Sequence, residues 1–222
     1  MVSNDYRFTT RWRVEGTCGE VADILSDPLA FPRWWPSVYI DVRETAPPGS
    51  DGLGRRIALV TTGWLPYTLR WEFVVVESRY PHRLAIAAAG DFDGRGVWTF
   101  EQAGRFVDIT FDWRLRAQKP LLRRLSFLLK SLFASNHRWA MAQGEQSLRL
   151  ELARRRATSA AALEAVAAPP APITYSGLAV LGGAALVVGT AVYLIVRAGR
   201  RGRAARPSYV GSGFSRIDPQ SD

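Results

Sequence analysis

The stretch PLLRRLSFLLKSLFASNHRWAMAQGEQSLRLELARRR, residues 120–156, has no proline after its first residue and a single glycine, Gly144. Its apolar residues recur at helical spacing, which predicts one amphipathic helix of about 55 Å at ~1.5 Å per residue. The apolar face carries Leu121, Leu125, Leu128, Leu129, Leu132, Phe133, Trp139 and Ala140, and the opposite face carries Arg123, Arg124, Lys130 and Arg138. Such a helix cannot bury its apolar face alone, so the preceding residues must supply a partner surface.

The residues before this helix predict seven β-strands. Alternating or β-branched runs place them at residues 6–15, 38–44, 55–62, 68–78, 83–89, 96–102 and 105–116. The breaks between the last six strands are rich in glycine and proline, and none is long enough for a crossover helix. These strands should therefore form an antiparallel meander.

Two short helices are predicted between the first two strands. Thr17 and Glu20 have capping-box spacing, and Asp27 followed by Pro28 can begin a second helix that ends near Pro36. The whole order predicts an α+β fold in which a curved seven-stranded antiparallel sheet wraps around the long helix.

The C-terminal part of the chain has a different composition. Residues 173–196 carry no charge and predict a single transmembrane helix of roughly 36 Å, against a hydrocarbon core of about 30 Å. We therefore divide the chain into a globular domain (1–157), an Ala/Pro linker (158–172), the span and a basic disordered tail (197–222). The arginines that follow the span favour contact with anionic lipid headgroups.

The orientation of this single-pass membrane protein rests on opposing signals. Arginines after the span place the tail in the cytoplasm, which would put the domain outside. The first residues contain no apparent export signal, and Arg154–Arg156 supply basic charge on the other side of the span. Together these observations favour a cytoplasmic domain.

Composition excludes several classes of function. The formal net charge is +9, but in the domain the excess is scattered along the strands and the long helix, which argues against a nucleic-acid partner. Cys18 is the only cysteine, so neither a disulfide framework nor a cysteine-based metal site is expected, and we predict no metal and no cofactor. Asp91–Gly94 is interpreted as a hairpin turn, and His82 and His137 are expected to face solvent.

Two segments resemble a known family. The run DPLAFPRWWP, residues 27–36, resembles the helix–kink–helix segment of the polyketide cyclase/dehydrase branch of the START-like (Bet v 1-like, SRPBCC) superfamily. Residues 136–149 are similar to the C-terminal helix of that branch. The resemblance covers about residues 5–157 and implies a helix-grip fold, with an apolar cavity between sheet and helix. Members bind or move lipids, sterols, quinones and polyketides, and some are cyclases, but none of the cyclases' catalytic motifs can be transferred to this sequence.

Three groups of residues are candidates for a ligand site. The inward-facing aromatic residues would line the cavity or form a solid core: Trp71, Phe73, Trp98, Phe100, Phe111 and Trp113. On the long helix, Trp139 lies on the same side as the amides Asn136 and Gln143, which would meet backbone, water or a ligand. The cavity mouth is predicted at Trp34, Trp35, Trp64 and Tyr67.

Three functions are compatible with these features. The leading hypothesis is membrane-anchored binding or transport of a hydrophobic small molecule such as a lipid, quinone, isoprenoid or polyketide-like compound. The first alternative is an enzyme of the cyclase/dehydrase type, for which no catalytic residue is assigned. The second is a membrane-tethered interaction module with a vestigial cavity. The sequence does not specify the oligomeric state.

Overall fold

The computed structural model describes residues 5–117 and 120–174, with side chains for residues 6–116 and 131–174. The sheet has seven antiparallel strands in the order β1-β7-β6-β5-β4-β3-β2, which confirms the predicted architecture. The strands are β1 Asp5–Glu15, β2 Tyr39–Ala46, β3 Arg56–Thr61, β4 Leu69–Arg79, β5 Arg83–Gly90, β6 Phe92–Ala103 and β7 Phe106–Ala117.

One strand boundary differs clearly from the prediction. The sequence suggested a turn over Asp91–Gly94, but β6 already begins at Phe92, which pairs with Ala117 at the end of β7. Pairing with a twelve-residue neighbouring strand extends β6 through residues whose local preference is for a turn.

Alternation along the strands separates a buried face from an exposed one. Trp12, Val107, Ile109 and Trp113 are buried on the inner face, whereas the intervening arginines of β1 and aspartates of β7 lie on the outer face. The inner face packs against the helices and forms the core.

The predicted capping box begins the first helix, α1 Cys18–Leu25. Glu20 N–H donates to Thr17 Oγ1 at 3.3 Å, and the Glu20 carboxylate accepts from Thr17 N–H at 2.8 Å. Hydrogen bonds from Arg156, at 2.7 and 2.8 Å, lower the pKa of Glu20 to about 2. The beginning of α1 is thereby joined to the end of the long helix.

The second short helix does not start where the sequence suggested. Asp27 makes no capping hydrogen bond, and Pro28–Ala30 form one 3₁₀ turn before α2 Phe31–Trp34. The kink packs Phe31 and Trp34 into the core.

The long helix, α3 Pro120–Arg156, has the predicted bounds. Its Met141, Leu148 and Leu152 are buried against the inner face and α1. A short helix, α4 Ala160–Glu164, follows within the predicted linker. Within residues 5–117 and 120–174, no helix is both long and apolar enough to cross a membrane. Except for residues 173 and 174, the predicted span and tail lie outside the described residues.

Candidate ligand cavity

A cavity of about 220 Å³ lies between the inner face of the sheet and α3. Its walls come from β1 to β7, α1, the α2 segment and the part of α3 whose side chains are described. Half of the lining residues that the structure describes are aromatic: Tyr6, Phe8, Phe31, Trp35, Tyr39, Tyr67, Trp71, Phe73, Phe92, Trp98, Phe111, Trp113 and Phe133. The sheet and the helix therefore leave space between them that their own side chains do not fill.

The sheet side of the cavity is a continuous surface of packed rings. Trp98 stacks on Phe111 with ring centroids 4.1 Å apart, and Phe111 stacks on Trp113 at 5.4 Å. Trp71 contacts Trp113 at 5.9 Å. Gly96 makes this packing possible, because a Cβ at that position would lie 2.7 Å from the Trp113 ring. The rings pack on one another and so support the shape of the wall.

The structure brings together six of the nine residues that the sequence suggested for the cavity wall: Trp71, Phe73, Trp98, Phe111, Trp113 and Asn136. Phe100 is 2% exposed but packs in the core outside the lining. Trp139 and Gln143 are half-buried on α3 and do not line the cavity. Trp139 is adjacent to Ala140, which does line the cavity, and Gln143 lies about one turn of α3 beyond Ala140.

The residues suggested for the mouth occupy different places. Trp34 and Trp35 are 0% and 2% exposed, because they pack on each other and Trp35 also packs on Trp12 in the core. Trp35 forms part of the cavity wall, whereas Trp34 does not, and Trp64 is half-buried outside the lining. Of the four residues suggested for the mouth, only Tyr67 both lies in the β3–β4 loop and lines the cavity.

Asn136 attaches this loop to α3. Its Oδ1 accepts a hydrogen bond from Leu65 N–H at 3.1 Å, and Gly63 packs directly against its carboxamide. In the same loop, Thr62 Oγ1 donates to the Tyr67 carbonyl at 3.3 Å. Asn136 thus meets backbone, one of the partners expected for it, while remaining in the cavity wall.

His137 is a polar residue of the wall for which the sequence prediction was wrong. Its ring stacks on Phe8 with centroids 4.4 Å apart, and its Nε2 lies 3.4 Å from Thr10 Oγ1. Burial, assisted by the charge of Arg138, lowers the pKa of His137 to about 4. The imidazole is therefore neutral at physiological pH. The helical spacing in the sequence did not predict that His137 lines the cavity, because this depends on which residues of β1 pack against it.

The other polar groups of the cavity are mostly uncharged. Burial raises the pKa of Tyr67 to about 12 and raises that of Tyr39 further, so both phenols stay neutral. Among the lining residues in the described part of the chain, none is lysine or arginine, and Asp91 is the only one with a formal charge. Asp91 Oδ2 accepts a hydrogen bond from Arg70 N–H at 3.0 Å. The arrangement can bind apolar surface and donate hydrogen bonds, but its described residues offer no cation to an anionic group.

The remaining aromatic lining was only partly visible in the sequence. Phe8 belongs to the alternating inner face of β1, and Phe133 belongs to the apolar stripe of α3. Phe92 was hidden in the supposed turn, and Tyr39 begins its strand next to Val38 without a clear alternation. Within the described residues, no three His, Cys, Asp or Glu side chains are grouped so that they could hold a metal ion.

A curved antiparallel sheet that grips a long helix around an apolar cavity is the arrangement of the helix-grip proteins. Residues 6–152 match the model of a family described as polyketide cyclase / dehydrase and lipid transport. The match spans well over half of the 222 residues, so the chain belongs to this family. No curated protein matches the chain in sequence.

Solved structures agree with this fold. The protein TTHA0849 from Thermus thermophilus is 15% identical, with a TM-score of 0.56 over 68% of this chain and 100% of its own. The Zhui aromatase/cyclase from a Streptomyces species is 14% identical, with a TM-score of 0.53 over 70% and 98%. A START superfamily protein from Mycobacterium smegmatis is 16% identical, with a TM-score of 0.46 over 61% and 98%. At these identities, the first two show a shared fold and nothing finer.

Proposed function

We propose that this protein binds or carries a small, uncharged, hydrophobic molecule in the cavity between the sheet and α3. The observation that carries the proposal is the aromatic-lined space of about 220 Å³. Burial of apolar ligand surface, at about 25 cal/mol per Å², would supply most of the binding free energy. The family description, which includes lipid transport, supports the same class of ligand.

The size of the cavity narrows the class of ligand. An enclosed apolar space of ~150 Å³ accommodates benzene, and sites for drug-sized molecules begin at about 300 Å³. The volume of about 220 Å³ lies between these values, so it suits a compound of about two fused rings or a short isoprenoid-like segment. A longer lipid or quinone would have to leave part of its length outside.

We further propose that the domain is held at a bilayer by residues 173–196 and that the arginines of residues 197–222 contact anionic lipid headgroups. The uncharged length of the first segment and the composition of the second support this arrangement. A domain on the cytoplasmic side would then sample the hydrophobic compounds that partition into the membrane. Protease protection in intact cells tests this orientation.

The direct test of binding is to identify what the protein carries. The full-length chain would be purified from membranes in mild detergent and analysed by native mass spectrometry, followed by solvent extraction. We expect an uncharged hydrophobic compound bound at about one per chain. A chain that carries nothing, and whose thermal stability no hydrophobic compound changes, would favour the vestigial-cavity alternative.

A second candidate is an enzyme of the cyclase/dehydrase type that acts on a polyketide-like or isoprenoid substrate. The observation that favours it is the neutral imidazole of His137 in the same wall as the Tyr67 phenol. Such groups could orient or polarise a carbonyl. Turnover of a co-purified compound that disappears in His137→Phe, while that compound still binds, would support catalysis. Release of the compound unchanged by the wild type would support transport.

A further inference from the structure

Three arginines that are distant in sequence form one row on the outer face of the sheet. In the strand pairing, Arg7 of β1 lies opposite Arg114 of β7, and Arg114 lies opposite Arg95 of β6. Paired residues project from the same face, and all three arginines are exposed. Adjacent strands are about 4.8 Å apart, so the row spans only about 10 Å at the backbone. The expectation that basic charge is merely scattered is therefore wrong here.

The row forms one side of a shallow groove. Arg116 lies two residues farther along β7, and Asp93 of β6 lies opposite it. The groove is also lined by Tyr6 and Leu115, two residues that line the ligand cavity as well. The basic groove therefore lies at the same end of the sheet as that part of the cavity.

Ion pairs within the fold neutralise little of the positive charge of Arg7, Arg95 and Arg114. Arg95 Nη2 lies 3.4 Å from Glu77 Oε2, and Glu77 also pairs with Arg79 and Arg83. In the part of the chain that the structure describes, no ion pair or side-chain hydrogen bond connects Arg7 or Arg114 to another residue.

Carboxylates occur in both neighbouring rows. On one side Asp93 lies opposite Arg116, and on the other side Asp112 is engaged elsewhere. Asp112 lies opposite Thr9, and its Oδ1 accepts a hydrogen bond from the Thr9 hydroxyl at 2.7 Å. Like charges directly opposite each other on a sheet are destabilising. The row thus lowers the stability of the free domain. Binding of an external anion would relieve the repulsion between the arginines.

We propose that this row docks the domain onto the anionic surface of a membrane. The arginines are spread along a line across three strands and do not converge on one point, which suits a plane of phosphate headgroups better than one soluble phosphate. Docking there would place the end of the cavity near Tyr6 against the lipid from which a hydrophobic ligand would come. An arginine near an anionic lipid surface contributes about fivefold in affinity.

The test distinguishes membrane binding by this row from binding by the basic tail and from an effect of total charge. The full-length chain is held in nanodiscs of phosphatidylcholine, and its co-flotation with separate vesicles containing phosphatidylglycerol is measured. The triple variant Arg7→Gln, Arg95→Gln, Arg114→Gln is compared with a control of equal charge, Arg43→Gln, Arg56→Gln, Arg105→Gln, from β2, β3 and the turn between β6 and β7. Circular dichroism verifies that both variants remain folded.

We expect the row variant to bind the anionic vesicles about 100-fold more weakly than the wild type, on the order of fivefold for each arginine. The affinity of the control variant should change by less than about threefold, because its arginines lie on β2 and β3 and at the opposite end of β7 from the row. Equal loss in the two triple variants, unchanged binding in both, or equal binding to phosphatidylcholine vesicles would overturn the proposal. Complete competition by millimolar inorganic phosphate would also overturn it and assign the row to a soluble anion.

Discussion

Arg33 of α2 makes a bidentate ion pair with Glu151 of α3. Arg33 Nη1 lies 2.9 Å from Glu151 Oε2, and Arg33 Nη2 lies 2.7 Å from Glu151 Oε1. The carboxylate is 1% exposed and also accepts hydrogen bonds from Arg155 at 2.9 Å and Arg154 at 3.4 Å. The pair joins the kinked segment after α1 to the second half of the long helix, and Trp35 of the cavity wall lies directly after this segment.

Removal of this pair should lower the free energy of unfolding. We expect Arg33→Met to cost about 1–3 kcal/mol, because a buried carboxylate loses two charge-assisted hydrogen bonds. The matched control is Arg43→Met, which breaks an exposed pair with Asp41 and should cost less than about 1 kcal/mol. Thermal unfolding of the full-length protein in detergent measures the loss of stability in both variants. Equal losses would show that the buried pair stabilises the fold no more than an exposed one.

The same pair gives the stability a defined dependence on acid pH. Burial tends to raise the pKa of Glu151, but the hydrogen bonds and charges of Arg33 and Arg155 outweigh it and lower the pKa overall. A lowered carboxyl pKa stabilises the folded state above the ordinary value of about 4.3, and this contribution is lost as the pH falls through the lowered value. The stability difference between wild type and Glu151→Gln should therefore shrink below about pH 4.

His137 should also make the stability fall with acidification, but at higher pH. The folded-state pKa, about 4, is below the ordinary histidine value of 6.5, so the unfolded chain binds its proton first on acidification. The contribution is complete above pH ~6.5 and falls by as much as about 3 kcal/mol by pH ~4. The stability of the wild type should thus decline more steeply between pH 7 and 5 than that of His137→Gln. Parallel declines would mean that the imidazole is not held neutral.

Gly144 of α3 is predicted to resist replacement by alanine. In a helix interior, alanine is intrinsically favoured over glycine by about 1 kcal/mol. A Cβ at Gly144 would, however, collide with the indole of Trp35, and such overpacking costs about 1–3 kcal/mol. Gly144→Ala should therefore destabilise the protein, and the loss should be smaller when Trp35→Leu removes the opposing ring. A stabilising Gly144→Ala would show that the contact between α2 and α3 is loose.

The electrostatics of the cavity predict selectivity by charge. The compounds 2-naphthamide and 2-naphthoate have nearly the same shape but differ by one negative charge. The lining offers no lysine or arginine among its described residues, and the aromatic faces are unfavourable to an anion. Isothermal titration calorimetry at pH 7 should show at least tenfold tighter binding of the amide. Equal affinities would contradict this account of the charge in the cavity, while leaving hydrophobic binding intact.

The architecture was accessible from the sequence because it depends on local patterns. The alternation in β1, β4 and β7, the capping box at Thr17 and the long stripe of α3 each specify an element without knowledge of its neighbours. The start of β6 at Phe92 was not accessible, because pairing with Ala117 overrides the local turn preference.

The cavity was predictable only in part, for a similar reason. Alternation identifies which face Trp71, Phe111 and Trp113 share, but not where along the strands the space opens. Phe100 satisfies the same alternation and yet lies in solid core. The position of His137 against Phe8 and the alignment of the outer arginines depend on tertiary packing and strand register, which the order of residues does not display.

The measurement that tests the central claim most directly is the affinity of 2-naphthamide for two variants of α3. Ala140 lines the cavity, and Ala142, two residues away on the same helix, is exposed. If the cavity holds the ligand, Ala140→Phe should fill it and weaken binding at least tenfold, while Ala142→Phe should stay within about twofold of the wild type. The three affinities would come from calorimetry on folded, full-length protein. Equal affinity in all three proteins, or no binding by the wild type, would contradict the account.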